Sequence, residues 1–437
     1  MNIPEYDTNV LAQNKSGAAL VIVVCFAAIT AIFAAGLISE SSSQMKIAAR
    51  NVILEQAFYV AEGGAERAIS AIANSGGNPP GAITGAIGNG VYRAAIGSVA
   101  VGNQTWFTIS SSGEVQGVKR CVTVTGIRRQ SWSRYAVWYD HNPGQNNFMG
   151  PSVFNGPIHA NDAIYLYENP TFNGLLTSAA NNWALWSSNA VFSNGFQLGV
   201  PRQTIDINFT NTAFPNSCLR TLAPLVVTGA TSIRLQDTNV FISNPVRGWT
   251  NVNFATNDSG IIASGMIYIA TSGSDAGTVQ IGGSNFNGRL TVVADQDIQI
   301  TNHITYAANP AVTNSDDALG LIARRDVVVM TNAPNNLNIY ANIIACNPAS
   351  SWYAGFYVQN LLTRPDSGLL TIYGGIVENN FGVEGAYWGY WGGQDHFTGF
   401  SQDNWIYDSR FQLNPPPFYP NVSNAYTWNN WKEAAVQ

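Results

Sequence analysis

Hydrophobic and polar residues follow two different patterns along this chain, and the first is helical. From Ala18 to Ile38 the run AALVIVVCFAAITAIFAAGLI contains no charged residue. A helix rises about 1.5 Å per residue, so this run is long enough for the roughly 30 Å of a bilayer's hydrocarbon core. The pattern predicts a transmembrane helix over 18–38.

Apolar residues continue beyond this run at spacings of three, four or seven, which is typical of one face of a helix. A cluster of helix breakers, NSGGNPPG, begins at Asn74. The two patterns therefore predict one continuous helix over 18–75. The stripe consists of Ile47, Leu54, Phe58, Ala61, Ala65, Ala68 and Ile72.

After this helix the pattern changes to the period of two that is typical of strands. Over 82–130, two alternating stretches that flank a Ser/Gly turn predict a small antiparallel β layer. Over 135–380, alternating segments recur about 30 residues apart, and a second pair, LNIYANII and LTIYGGIV, lies 33 residues apart. Such repeats predict a parallel β-helix (a β-solenoid), with a β-sandwich as the alternative. The aligned alanines of the first set are Ala160, Ala263, Ala294 and Ala323.

Residues 381–437 lack this repeat and are rich in aromatic residues, glycine and proline. Since the last coil of a solenoid needs cover, we expect a C-terminal cap here. Three aromatic residues, Trp388, Tyr390 and Trp391, form a candidate platform for stacking on carbohydrate. The predicted fold class is mostly β, with one long N-terminal helix.

The composition narrows the function. Charged residues make up 11% of the chain and the net charge is −6, which does not favour nucleic acid as a partner. The scarcity of charge suits β-rich proteins outside the cytoplasm. The four cysteines form no CxxC pair, so no zinc site is expected. Two of Cys121, Cys218 and Cys346 could form a disulfide, or all three could be buried thiols.

Catalytic chemistry is not expected, although parallel β-helices often host polysaccharide-active enzymes. Asp297 and Asp326 occupy equivalent repeat positions, which a structural role explains as well as catalysis. Asp316 and Asp317 are candidate calcium ligands, with a plain polar loop as the alternative. No nucleotide-binding or metalloprotease motif occurs in a convincing context, and no cofactor is expected.

Residues 1–17 are polar and end in Lys-Ser-Gly. A plain signal anchor is one interpretation, and a cleavable leader before a retained helix is another. The segments KSGAALVIVV and LEQAFYVAEGGAERAI resemble the N-terminal region of PilX-type minor pilins and related type IV pilus assembly proteins. The resemblance implies a prepilin leader over 1–17, cut by a prepilin peptidase between Gly17 and Ala18. The family carries an A-x-x-A-E-x-x-x-x-A patch near the end of this helix, and the resemblance places Ala57, Ala61, Glu62 and Ala65 in the corresponding region.

One position departs from the family. Major pilins carry Glu at the fifth residue after the cleaved bond, and this chain has Ile22 there. Some minor pilins and tip pseudopilins also lack this Glu, so the departure favours a minor or tip subunit. The expected filament-packing residues of the helix are Ile22, Ile47, Leu54, Phe58, Ala61, Glu62 and Ala65.

The chain also resembles an uncharacterised group of large pilin-like proteins that append a β-solenoid to such an N-terminus. We therefore expect a structural subunit of a type IV pilus or a related type II secretion-like filament. Its partners would be other pilins and the prepilin peptidase. It would span the inner membrane once before assembly and then reach the pilus and the cell surface. The alternative is a surface adhesin that binds glycans or surfaces through the aromatic C-terminal region.

Overall fold

The structure is a computed structural model that describes residues 8–75, 78–101, 104–150, 152–182, 184–213, 218–255, 265–311, 315–347 and 354–435. In the first helix, side chains are described from Gly17 onward. The chain forms two compact units. The helix–sheet unit comprises Met1–Val99, Thr105–Ile127 and Trp428–Gln437. The ladder unit comprises Ala100–Gln104 and Arg128–Thr427.

Strands dominate the described residues, as the sequence predicts. The α-helices are α1 (Thr8–Asn74) and α2 (Leu219–Leu222), and short 3₁₀ helices span Trp132–Arg134 and Ser409–Gln412. The strands are β1 (Ala82–Ile87), β2 (Gly90–Val101), β3 (Gln104–Val115), β4 (Val118–Ser131), β5 (Val137–His141), β6 (Asn147–Met149), β7 (Val153–Phe154), β8 (Ile158–Ala160), β9 (Tyr165–Glu168), β10 (Thr171–Phe172), β11 (Leu176–Ser178), β12 (Ala184–Ser188), β13 (Val191–Phe192), β14 (Phe196–Leu198), β15 (Leu225–Thr228), β16 (Thr231–Asp237), β17 (Asn239–Asn244), β18 (Trp249–Ala255), β19 (Met266–Ala270), β20 (Val279–Phe286), β21 (Arg289–Ala294), β22 (Ile298–Tyr306), β23 (Ala318–Ala323), β24 (Val327–Val329), β25 (Asn338–Ala345), β26 (Phe356–Val358), β27 (Leu369–Asn380), β28 (Gly385–Trp391), β29 (Gln394–Gly399), β30 (Gln402–Tyr407), β31 (Asn421–Thr427) and β32 (Asn430–Ala434).

The helix–sheet unit contains the predicted long helix and an antiparallel sheet. α1 ends at Asn74, the first residue of the breaker cluster, in which two glycines and two prolines follow. The sheet has six strands in the order β1-β2-β3-β4, with both β31 and β32 pairing antiparallel with β4. The predicted layer over 82–130 is therefore present, but its edge strand β32 comes from the other end of the chain.

In the ladder unit most strands pair in parallel with strands that are not their neighbours in the sequence. One series runs β15-β19-β21-β23-β25-β27-β5-β8-β11-β14. A second runs β16-β20-β22-β24-β26. The inward side chains of these strands form one continuous apolar core. Period-two alternation places them there, because successive strand residues point to opposite faces.

The order in which the strands of the ladder unit pair does not follow their order along the chain. β27, late in the sequence, pairs in parallel with β5, the first strand of the unit. The stretch 199–224 connects β14 to β15, which lie at opposite ends of the series. Three of its apolar residues are buried in a second cluster with Tyr268 and Val293: Ile207, Phe209 and Leu219. A long connection of this kind changes which strands become neighbours, and the sequence repeats do not indicate this change.

The predicted repeat registers are partly confirmed. Ala294 pairs with Ala323, and the segments LNIYANII and LTIYGGIV pair in the predicted register. The alignment of 261–269 is wrong, since Ile269 rather than Ala263 takes the position opposite Ala294. Ala263 itself lies outside the described residues. The loop between β19 and β20 is longer than the loop between β21 and β22. A prediction that assumes a constant spacing between strands therefore gives the wrong register here.

The C-terminal region is not a single cap. β28 and β29 form an antiparallel hairpin, and β30 pairs with β27 and β7 within the ladder. β32 then joins the antiparallel sheet of the helix–sheet unit. The end of the ladder at β16 is covered instead by β17 and β18, which pair antiparallel. The high content of aromatic residues and proline correctly indicates that the repeat stops. The positions of these residues in the fold depend on strand pairing over long distances in the sequence.

Candidate functional site

From Ala18 to Ile38, α1 is apolar and exposed over its whole surface. Leu20, Ile22 and Phe33 expose 66%, 57% and 70% of their surface. By length and composition the helix can cross a membrane. Exposed apolar surface of this extent is unfavourable in water, at about 25 cal/mol per Å², so it requires lipid or neighbouring helices.

Gly17 and Ala18, the predicted cleavage residues, both lie on α1 and are exposed. No atom lies within 4 Å of a Cβ placed on Gly17, so the bond is not shielded by the fold. The first seven residues of the predicted leader lie outside the described part of the chain. Cleavage itself stays a prediction.

The C-terminal half of α1 is packed against the unit's own sheet. Ala57, Ala61 and Ala65 are completely buried, with Tyr92 and Val115 of the sheet in the same contact region. Small side chains are needed here because the β3 backbone approaches closely. At Gly113 a Cβ atom would overlap the carbonyl oxygen of Ala57 and the amide nitrogen of Ala61.

This packing changes the interpretation of the predicted stripe. Ala61 and Ala65, expected to pack a filament, face the chain's own sheet and are not free to contact a neighbouring subunit. Leu54, Phe58 and Glu62 are half-buried. Ile22 and Ile47 remain exposed, at 57% and 59%. The exposed apolar surface of α1 therefore lies mainly in the first part of the helix.

The aromatic platform lies on the β28–β29 hairpin. Trp388, Tyr390 and Trp391 are exposed by 53%, 67% and 51%. A bulge between Tyr387 and Gly389 places both tryptophans on one face of the hairpin. Trp388 Nε1 donates to Thr398 Oγ1 at 3.0 Å, and the Trp391 ring stacks on His396 with centroids 3.6 Å apart.

Tyr390 points to the opposite face, because it pairs with Asp395 while Trp391 pairs with Gln394. The structure thus brings together two of the three predicted platform residues. Both indoles are about half exposed, and their neighbours on this face include Thr398 and His396.

Asp316 and Asp317 do not converge on a common centre in the structure. Asp317 is buried, and its two carboxylate oxygens accept hydrogen bonds from Gly288 N at 2.9 Å and Ser315 Oγ at 2.8 Å. Asp316 is exposed, and its carbonyl oxygen accepts from Arg289. In the described residues no group of three or more His, Cys, Asp or Glu side chains could hold a metal ion.

The equivalent repeat aspartates link adjacent coils. Asp297 Oδ1 accepts from Asp326 N at 3.3 Å, and Asp326 Oδ1 accepts from the Tyr357 hydroxyl at 2.7 Å. Arg325 Nε lies 3.5 Å from Asp297 Oδ1. Burial raises the pKa of Asp297. Each carboxylate therefore has a structural partner in a neighbouring turn.

Sequence reasoning missed three carboxyl groups near the end of β27. Burial raises the pKa of Glu378 to about 8 and that of Asp403 to about 7. Burial, followed by the nearby Asp403 and Glu378, raises the pKa of Glu384 well above its ordinary value. Glu378 Oε2 accepts from Phe356 N at 2.7 Å. Nothing in the local sequence pattern distinguishes these residues from exposed carboxylates.

The four cysteines, all within the described residues, form no disulfide. Cys218 and Cys346 are buried and Cys121 is partly buried. Burial raises the pKa of the Cys346 thiol, so it is protonated and unreactive at neutral pH. The sequence allowed either a disulfide or free thiols, and the structure has free thiols.

Comparison with known proteins gives a match to a family model and matches to solved structures. Residues 103–181 match the model of a domain of unknown function, DUF4900. No curated protein matches the chain in sequence. A solved structure, the competence-associated pilin ComZ from Thermus thermophilus, is 12% identical, covers 87% of this chain and 97% of its own, and gives a TM-score of 0.34. At this identity and TM-score the likeness does not decide the fold or the function of this chain.

Proposed function

We propose that the protein is a structural, minor subunit of a type IV pilus or a related type II secretion-like filament. The observation that carries this proposal is the division of α1 into an apolar exposed half and a half buried on the sheet. The first half anchors the chain in the membrane and packs against other pilins in the filament. The second half fixes the helix in its own folded unit.

The finer parts of the proposal concern position and architecture. Major pilins have Glu where this chain has Ile22, and this difference supports a minor or tip position. A carboxylate buried in lipid needs a charged partner, whereas isoleucine does not. The successive parallel pairings support a β-solenoid in the ladder unit, displayed outside the cell. The proposed role is structural and not catalytic, and the coil-to-coil bonds of Asp297 and Asp326 support it.

Processing at Gly17 tests the proposal. The mature protein should begin at Ala18 by mass spectrometry, and Gly17→Val should keep the leader and leave the protein in the membrane fraction instead of in filaments. Gly36→Val is the matched control, because Gly36 is also an exposed helix glycine with open space around it. An intact Met1 on the wild-type protein would leave a plain signal anchor.

A second candidate function is adhesion through the aromatic hairpin. It is favoured by the position of Trp388 and Trp391 on one face, each about half exposed. Aromatic faces of this kind stack on the C–H faces of sugars, and their exposure is unusual for indole rings. Trp388→Ala with Trp391→Ala should abolish adhesion of cells to a glycan-coated surface, whereas Tyr390→Ala on the opposite face should not. If the double variant enters pili and adheres like the wild type, the hairpin is not the adhesive site.

A further inference from the structure

Five asparagines of this chain are each followed directly by glycine. In such a pair the backbone nitrogen of the glycine can attack the side-chain carbonyl carbon of the asparagine, because glycine has no side chain to hinder the approach. All five asparagines are exposed, so their exposure does not distinguish them. They are Asn89, Asn155, Asn173, Asn194 and Asn287.

Three of the glycines are tightly packed. The attack requires the glycine amide to lose its proton and to move towards the asparagine side chain, and close packing resists this movement. A Cβ atom placed on Gly90 would lie 2.7 Å from Val115. One placed on Gly156 would lie 2.4 Å from the Tyr407 ring, and one on Gly174 would lie 2.0 Å from the Gly156 carbonyl oxygen.

The glycine after Asn287 is held by a carboxylate. Gly288 N donates to Asp317 Oδ1 at 2.9 Å, and Asp317 is buried. Loss of the Gly288 amide proton would break this bond and place a negatively charged nitrogen beside a carboxylate. The reaction at Asn287 is therefore disfavoured by electrostatics.

The side chain of Asn173 is also held at both ends. Its Nδ2 donates to Asn155 Oδ1 at 2.8 Å, and its Oδ1 accepts from Ser193 Oγ at 2.8 Å. These bonds direct the carboxamide of Asn173 towards the two neighbouring turns of the ladder unit. They oppose the rotation that would bring its carbonyl carbon to the next backbone nitrogen.

The pair Asn194-Gly195 differs from the other four. Gly195 is exposed, and no atom lies within 4 Å of a Cβ atom placed on it. Its amide donates to the Phe192 carbonyl oxygen at 3.3 Å, which is longer than the usual 2.9–3.0 Å. The Asn194 side chain makes one hydrogen bond, from Nδ2 to the Asn173 carbonyl oxygen. Both reacting groups can therefore move in the folded protein.

We propose that Asn194 is a site of spontaneous deamidation in the folded protein and that the fold protects the other four Asn-Gly pairs. Gly195 N loses its proton and forms a bond to Asn194 Cγ, the Cγ–Nδ2 bond breaks, and ammonia leaves. Water then opens the resulting succinimide to aspartate or isoaspartate.

Deamidation at Asn194 changes the charge of this part of the ladder unit. From Asn169 to Pro201 the sequence contains no Asp, Glu, Lys, Arg or His. Either product places a carboxylate in this uncharged stretch and removes the donor to the Asn173 carbonyl oxygen. Isoaspartate also lengthens the main chain at the turn between β13 and β14.

The test is peptide mapping by mass spectrometry of the full-length protein in detergent, after incubation at mildly alkaline pH. Asn194 should deamidate about tenfold or more faster than the other four asparagines, because those must wait for local opening of the fold. In denaturant this preference should disappear, since all five asparagines then have a glycine neighbour without folded surroundings.

Two variants complete the test. Asn194→Gln should remove the product, because the longer side chain forms the ring poorly, and Asn287→Gln is the control that should leave the reaction at Asn194 unchanged. An unmodified Asn194, faster deamidation at any of the other four asparagines, or the same preference in denaturant would each overturn the proposal. None of these results depends on whether the protein enters a pilus, so the proposed function is tested separately.

Discussion

The helix–sheet unit and the ladder unit bury different chemistry. Among the described residues of the helix–sheet unit, the buried polar residue is Ser111, and the contact between helix and sheet is made of small and apolar side chains. The ladder unit buries several carboxylates, among them Asp317 and Glu378. These accept hydrogen bonds from backbone amides where the chain turns between strands.

The difference follows from the two kinds of secondary structure. A helix satisfies its own backbone, so it can pack by shape alone. In a unit of short strands, the backbone amides at the turns between strands also need hydrogen-bond acceptors. Where no neighbouring strand supplies one, a buried side chain accepts the hydrogen bond. We therefore expect the stability of the ladder unit to depend on pH and that of the helix–sheet unit to depend on packing.

The largest expected effect is the pH dependence of the ladder unit. The pKa of Glu378 is raised to about 8 in the folded protein, so the folded state binds a proton that the unfolded state releases. This contribution to stability is complete below the ordinary pKa of Glu, 4.5, is lost progressively as the pH rises to about 8, and does not change further above that pH. One pKa unit corresponds to about 1.4 kcal/mol, so the total change is of the order of a few kcal/mol. Hydrogen exchange of β27 peptides should accelerate between about pH 5 and about pH 8, after correction for the intrinsic pH dependence of exchange.

Glu378→Gln is the control for this prediction. The amide oxygen can still accept from Phe356 N, but the group no longer titrates. The variant should lose only part of the pH dependence, because Glu384 and Asp403 also have raised pKa values, and the peptides of α1 should show little in either protein. An unchanged pH dependence in the variant would assign it to Glu384 and Asp403 instead.

The next effect tests packing in the helix–sheet unit. Ile72 is fully buried, and Ile72→Ala should destabilise the unit by about 3 kcal/mol, since removal of a buried isoleucine leaves a cavity. Ile32→Ala, at 72% exposure on the same helix, is the control and should leave the thermal unfolding midpoint in detergent unchanged. Equal effects of both changes would show that the two halves of α1 are not packed differently.

A smaller effect is expected from overpacking at the same interface. Gly113→Ala places a methyl group against the backbone of α1 at Ala57 and Ala61, and it should cost about 2 kcal/mol. Gly117→Ala is a poor control because Gly117 has a φ of +78°. Gly97→Ala is better matched, since its nearest neighbour, the Thr108 carbonyl oxygen, would be 3.9 Å away. Thermal unfolding should distinguish the two, and a neutral Gly113→Ala would contradict the close approach.

The same comparison shows why the sequence predicts some features and not others. The helix over 18–75 and the register of Ala294 with Ala323 follow from local patterns, which act within a few residues or at a constant spacing. The pairing of β27 with β5 depends on where the connection 199–224 leads, and no local pattern contains this information. The aromatic composition marked Trp388 and Trp391 as candidates, but their common face depends on a bulge. The burial of Glu378 depends on contacts between coils and has no local signal.

The smallest effect concerns the charged pair of the helix–sheet unit, which should behave in the opposite way to Glu378. Arg120 of β4 and Glu433 of β32 form an exposed ion pair, and the hydrogen bond from Arg120 lowers the pKa of Glu433. Its contribution is present at neutral pH and is lost as the pH falls through the lowered pKa. Because both groups are in contact with water and salt, Glu433→Gln should change the unfolding midpoint barely or not at all. A large loss of stability in this variant, removed by high salt, would mean that charge as well as packing holds β32 to the sheet, and the contrast between the two units would then be one of degree.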